Sequence, residues 1–172
     1  HNSDRRQRQM CIRDRMSIGL ILPEDNQNNV SITLFGEKFS LLIDDVKQVE
    51  FKNDFNIGIH GNRLSLNDIH CNEIIIENND RELANCIKVD PVIAGRGFHW
   101  QKSIDIKVLG DLVVKNIDQQ LFVINKIFLE DYLMCVATSE MGAKCPQSLL
   151  EAQTIVATVS YTHLRAHETY TY

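Results

Sequence analysis

The hydrophobic period of this chain changes once, at Leu129. From Ile18 to Ile127 apolar residues come in short or alternating runs rich in Ile, Val and Phe, each bounded by Asn, Asp or Gly. A period of two puts alternate side chains on one face of an extended strand, so this region reads as β. Ile18–Leu22 stops at Pro23, and Val30–Leu34 alternates before the turn Gly36-Glu37. Val46–Phe51, Asn56–Ile59, Arg63–Leu66, Glu73–Glu77 and Leu83–Val89 follow at the spacing of an all-β region. Ile104–Leu109, a Gly110-Asp111 turn and Leu112–Val114 predict a hairpin, and Leu121–Ile127 the last strand. Beyond it Leu129, Leu133 and Val136 fall at i, i+4 and i+7, with Glu130 and Asp131 where a helix N-terminus favours negative charge. Gly142 can end that helix. A second is predicted near Pro146, with Ser148 and Glu151 in capping-box spacing and an apolar side of Leu149, Leu150, Ala152, Ile155 and Val156. The fold class is therefore α+β, a β-rich N-terminal and middle part followed by two helices.

Composition narrows the function classes. With 172 residues, 44% hydrophobic and a net charge of −5, the chain has one-domain length and no basic footprint for nucleic acid. No uncharged apolar run approaches the ~18 residues of a membrane span.

The two ends read differently from the middle. Back-translating Gln9 to Asp14 as CAG ATG TGT ATA AGA GAC and taking the reverse complement gives GTC TCT TAT ACA CAT CTG, which encodes Val159 to Leu164. Six mirrored codons are the mark of one DNA linker at both ends of a gene piece, and both peptides look like translated transposase adapters from sequencing libraries. Residues 1–15 and 158–172 are accordingly expected to be adapter-derived tails that do not pack. Without them the chain holds 12 Lys+Arg and 20 Asp+Glu, a net charge of −8. On this reading Met16 need not be a start codon, and no export signal is observable.

Single-motif signatures are absent: there is no Walker loop, G-x-S-x-G, H-E-x-x-H or C-x-x-C. Cys71, Cys86, Cys135 and Cys145 lack zinc spacing, and His60, His70 and His99 are scattered, so buried or unpaired neutral residues fit them better than a metal site. A Cys135–Cys145 disulfide would require an oxidising compartment and a geometry that spacing does not reveal. Phe98-His99-Trp100, which contains the single Trp, stacks on a sugar ring if exposed and is core if buried. Glu140, between Ser139 and Met141 and just before the Gly142 break, is either a solvated surface charge or a carboxyl whose pKa is raised by apolar surroundings for general acid work.

The stretch Leu121 to Ala157 resembles the stage II sporulation protein D family, the SpoIID/LytB or amidase-enhancer domain. Its pattern is an apolar strand ending in Asn, then L-E-D-Y-L, S-E-M, P, L and A-Q-x-x-A. Asn125, Leu129-Glu130-Asp131-Tyr132-Leu133, Ser139-Glu140-Met141, Pro146, Leu149, Ala152-Gln153 and Ala157 stand in those positions. Phe98 to Lys102 and the strand with Gly110 extend the resemblance upstream to about residue 91. Gly142 replaces the proline that often follows S-E-M, and Cys145 stands where many members carry Trp.

The resemblance implies four segments: an adapter-derived tail at 1–15, a β-rich region of unknown role at 16–90, a partial SpoIID/LytB-like domain at 91–157 and a second tail at 158–172. It implies a cell-envelope, extracytoplasmic protein acting on peptidoglycan glycan strands as a lytic transglycosylase, with Glu140 as catalytic carboxyl. Ser139 and Trp100 are the candidate substrate-binding residues, and Ser139 and Met141 shape the turn that presents Glu140. A non-catalytic, glycan-binding enhancer of an N-acetylmuramoyl-L-alanine amidase is the other function it implies, with the amidase as partner. No cofactor is expected within this chain; zinc would belong to the family segment that follows Ala157, and without that segment the domain is expected to be incomplete and inactive.

Overall fold

The computed structural model describes residues 15–48, 51–67, 69–80, 82–142 and 145–168, without the side chains of 138, 140, 141 and 161–168. Two compact units divide the described chain, one spanning Arg15–Ile127 and the other beginning at Phe128.

The first unit is built of strands β1 (Arg15–Ile21), β2 (Asn29–Phe35), β3 (Phe39–Ile43), β4 (Val46–Gln48), β5 (Asp54–His60) and β6 (Arg63–Leu66). The series continues with β7 (Ile69–Cys71), β8 (Glu73–Asn78), β9 (Cys86–Ala94), β10 (Lys102–Val108), β11 (Asp111–Ile117) and β12 (Gln120–Phe128). They form two six-stranded sheets, in the orders β1-β12-β11-β8-β3-β4 and β10-β9-β2-β5-β6-β7. The period-two pattern explains the packing. Ile74, Ile76, Leu112 and Val123 from the first sheet and Ile32, Ile57, Ile87 and Val89 from the second belong to one buried cluster. Each such side chain contributes about 1.5–3 kcal/mol when removed from water, and together they make the unit a β-sandwich.

Tight turns connect the hairpins. Asp44 (φ 47°) with Asp45 (φ 65°) and Asp118 (φ 51°) with Gln119 (φ 65°) are two-residue turns with both central residues left-handed, the type I′ geometry that matches strand twist. Asp44 is held there by its own carboxylate, since Oδ1 accepts from the N–H groups of Asn72 (2.8 Å) and Glu73 (3.0 Å). In β9 the N–H that Pro91 lacks falls where the ladder tolerates it. Pairing with β2 ends at Asp90, and the register against β10 shifts between Ile104 and Ile106.

The structure departs from the sequence expectation at several strands. β3 is missed by the sequence reading, because Leu41-Leu42 breaks the alternation; Phe39, Leu41 and Ile43 face the core, while Ser40, 3% exposed, is buried on the opposite face and accepts from the Asn79 amide at 2.8 Å. The strand expected over Val46–Phe51 is described only to Gln48, and Leu83, placed at the start of a strand, sits 66% exposed in a turn before β9. Arg15, assigned to the excluded tail, opens β1 and ion-pairs with Asp111. Residues 1–14 and the side chains of Tyr161 and Leu164, on which the expectation of unpacked tails depends, lie outside the described residues.

The second unit contains α1 (Leu129–Met141) and α2 (Gln147–Glu168), which pack on each other. The change from strand to helix falls at Leu129, where the period changes. Leu129, Leu133 and Ala137 are the buried positions of α1, while Val136 is half-buried. The stripe thus runs i, i+4, i+8 and reaches Ala137 in place of the expected Val136. α2 starts beside Pro146 as expected, but its capping differs: the Pro146 carbonyl accepts from the N–H groups of Leu149 (3.0 Å) and Leu150 (3.2 Å), and Glu151 accepts from the Gln147 amide at 2.8 Å. Ser148 lies inside the helix, exposed, so it is not the N-cap of a capping box. Leu149, Ile155 and Val156, expected on an apolar side, are 45%, 64% and 58% exposed. α2 continues past Ala157, with the Thr158 hydroxyl donating to the Thr154 carbonyl at 2.7 Å.

Candidate functional site

The sequence candidates lie in different units. Trp100 belongs to the loop from Gly95 to Gln101 that joins β9 to β10, and Ser139 and Glu140 to the last turn of α1.

Loop 95–101 is built on a charged clamp. The short 3-10 turn Pro23–Asp25 after β1 presents the Asp25 carboxylate, 5% exposed, to the Arg96 guanidinium. Nε donates to Oδ1 and Nη2 to Oδ2, both at 2.7 Å, and Nη2 also reaches the Leu20 carbonyl at 2.6 Å. Such a bidentate pair fixes direction as well as distance. Burial pushes the Asp25 carboxyl up, yet the Arg96 hydrogen bond, the Leu22 N–H and the Arg96 charge together hold it below its ordinary value. The same hydrogen bond raises the pKa of Arg96.

Above the clamp the chain closes on itself. The Phe98 N–H donates to the Gly95 carbonyl and the Gln101 N–H to the Phe98 carbonyl, both at 3.0 Å, while Gln101 Oε1 accepts from the Gly97 N–H at 3.1 Å. Gly95 (φ 69°) is required twice over, because a Cβ there would come within 2.3 Å of the Trp100 ring. Phe98 and Trp100 stack with ring centroids 5.6 Å apart and planes 19° apart, and they are 63% and 52% exposed. The core alternative for Trp100 is thereby overturned: the aromatic pair faces water.

At the other candidate, Glu140 is the penultimate residue of α1 and Ser139 is exposed beside it. Gly142 follows with φ 76°, the left-handed residue that ends a helix, and its carbonyl accepts from the Cys145 N–H at 3.1 Å. No basic residue lies in that last turn. The Glu140 side chain lies outside the described residues.

The described cysteines remain thiols, as the unpaired reading expects, and two of the histidines depart from expectation. Cys135 and Cys145 are not joined in a disulfide. Burial and the nearby Asp44 charge push the buried Cys71 thiol up to about 11, and burial with Asp131 raises that of Cys135. His60 and His70, expected buried or unpaired, are exposed and stack on each other at 5.1 Å across the outer face of the second sheet. Spacing does not reveal this pair, since it depends on the β5-β6-β7 register. Among the described residues no group of three or more His, Cys, Asp or Glu is placed to hold a metal ion. No helix among them is long and apolar enough to cross a membrane.

The sandwich and the strand-to-helix junction thus define an α+β protein with an acidic residue at a helix end. Residues 117–171 match the family SpoIID, Stage II sporulation protein, so this segment is similar to a sporulation- and cell-wall-related family. The match spans 55 of the 172 residues. It begins later than the resemblance, which reached back to about residue 91, and it includes 158–171, which the codon symmetry assigns to an adapter. No curated protein and no solved structure matches the chain.

Proposed function

We propose that the protein acts on peptidoglycan as a lytic transglycosylase with Glu140 as its catalytic carboxyl. The observation that carries the reading is the SpoIID match over 117–171, which contains the whole of α1, the Gly142 break and Glu140. The backbone position is a second support: in the last turn of a helix the carbonyl ends disfavour negative charge, and a general acid must begin protonated.

In this scheme the Glu140 carboxyl donates its proton to the glycosidic oxygen that leaves the muramic sugar. The resulting carboxylate takes the proton of that sugar's 6-hydroxyl as O6 bonds to C1. One C–O bond breaks, one forms, and the proton returns to Glu140. An internal nucleophile removes the need for an activated water or a second catalytic carboxylate, unlike two-carboxylate hydrolysis. Ser139, exposed beside Glu140, is assigned to contact the substrate, and an extracytoplasmic location follows from a cell-wall substrate.

The non-catalytic reading, a glycan-binding enhancer of a cell-wall amidase, is favoured by one observation, the exposed Phe98–Trp100 pair. The two readings separate on the products formed from peptide-free glycan strands by the full-length gene product. Release of 1,6-anhydro-muramic ends that disappears in Glu140→Gln supports the enzyme; no release, with amidase stimulation retained in Glu140→Gln, supports the enhancer.

A further inference from the structure

Aromatic side chains of this size normally contribute their area to a core. Here Phe55 is in the core with fully buried Ile32, Ile57, Ile74 and Ile76, and Phe39 and Phe51 pack against it, while Phe98 and the single Trp are left in water. The loop that exposes them is also held rigid. Arg96 ties it to Asp25, Gln101 spans it to Gly97, and Gly95 removes the Cβ that would displace the Trp100 ring. A platform ordered before binding does not have to be ordered by its ligand.

We propose that loop 95–101 is a carbohydrate-binding platform on which the Phe98–Trp100 pair stacks against the C–H face of a hexopyranose ring. A pyranose offers apolar C–H bonds on a face and hydroxyls around its edge. The two rings stack on each other, 5.6 Å apart and 19° from parallel, so an outer face of the stack meets the face of the sugar. The exposed His99, Gln101 and Lys102 border them and suit the edge: Gln101 engages its amide oxygen with Gly97 and keeps its N–H donors, and Lys102 supplies an ammonium. Two side chains are too small an apolar patch for a stable protein interface, which needs about 800 Å² per partner; a single sugar ring matches their size. The identity of the sugar, an N-acetylated hexosamine of peptidoglycan, rests on the function proposed above. The platform itself belongs to the β-sandwich and requires no chemistry from Glu140.

Because Trp100 is the single Trp, its emission reports on the platform alone. The chain is titrated with the tetramer of N-acetylglucosamine and with soluble peptide-free glycan strands. A saturable change in emission is expected. Phe98→Ala, whose side chain is 63% exposed and so dispensable for folding, should weaken binding about tenfold. Gly95→Ala, which displaces the Trp100 ring without deleting it, should weaken binding similarly, with circular dichroism reporting whether the fold is kept. Binding by both variants at wild-type strength, or no saturable response to either sugar, overturns the proposal. A response to phosphatidylglycerol vesicles but not to sugar overturns it in favour of a membrane contact. Cleavage is read from product mass and the platform from binding, so either reading can fail while the other stands.

Discussion

Arg96 grips Asp25 through two hydrogen bonds of 2.7 Å each, although 71 residues separate them in the chain. The pair joins the turn after β1 to the loop that carries Phe98 and Trp100, so its loss affects stability and loop order together. Arg96→Ala leaves the Asp25 carboxylate, 5% exposed, with the Leu22 N–H as its hydrogen-bond donor at 2.8 Å. The cost of under-satisfying such a group is about 1–3 kcal/mol. The low end applies, because the guanidinium is 35% exposed and partly screened. A urea midpoint equal to wild type would contradict this.

The same pair sets an acid limb. Asp25 titrates below its ordinary 3.8 in the folded state, so its contribution is fully present above that value and is lost as pH falls through the lower folded value. Thermal unfolding of the wild type should therefore lose stability below about pH 4 more steeply than that of Asp25→Asn. Parallel profiles would show that Asp25 is not held in its charged form.

The two type I′ turns respond oppositely to substitution. Gln119, at φ 65°, bears a left-handed cost of about 1–2 kcal/mol that glycine avoids, less the backbone entropy glycine loses on folding. Gln119→Gly makes Asp-Gly, a preferred pair for this turn, and should raise stability by about 0.5–1 kcal/mol. Asp44→Gly should destabilise despite the same backbone geometry, because it removes the acceptor for the Asn72 and Glu73 N–H groups. Chemical denaturation of both variants decides this, and the same sign for both would refute it.

Asn125 is the polar residue of a buried row that includes Leu121 and Val123. At 2% exposure its amide donates to the carbonyls of Leu109 (2.7 Å) and Asp111 (3.0 Å), holding the Gly110 corner against the end of β12. Asn125→Leu keeps the branching and the number of side-chain heavy atoms but orphans both acceptors, so a loss of about 1–3 kcal/mol is expected with an unchanged denaturant slope. Wild-type stability would mean that water replaces the amide at that corner.

The parts of the fold legible in the sequence are those that repeat locally. Alternation at Val30–Leu34 and Leu121–Ile127 and the switch at Leu129 were readable because strand and helix periods differ. β3 was not, because Leu41-Leu42 disguises the alternation and Ser40 is buried on the face opposite Leu41 and Ile43, beside Asn79, distant in sequence. The exposed apolar side of α2 was equally unreadable, since amphipathicity shows which side could be buried and not whether anything covers it. At the candidate site, the aromatic cluster was visible in Phe98-His99-Trp100, but its exposure depends on Arg96 reaching Asp25 and on Gly95 making room for Trp100, both tertiary facts. Glu140 was legible both in its S-E-M setting and in its position just before Gly142, and the structure has it in the last turn of α1 as that position implies.

The most direct test of the proposed chemistry is mass spectrometry of peptide-free glycan strands digested by the full-length gene product and by its Glu140→Gln variant, with circular dichroism to verify that both are folded. Gln is nearly isosteric but can neither donate the acidic proton nor accept one, so release of 1,6-anhydro-muramic products should fall by about 2 to 4 orders of magnitude. Anhydro products released by the Gln variant at the wild-type rate would contradict Glu140 as the catalytic carboxyl.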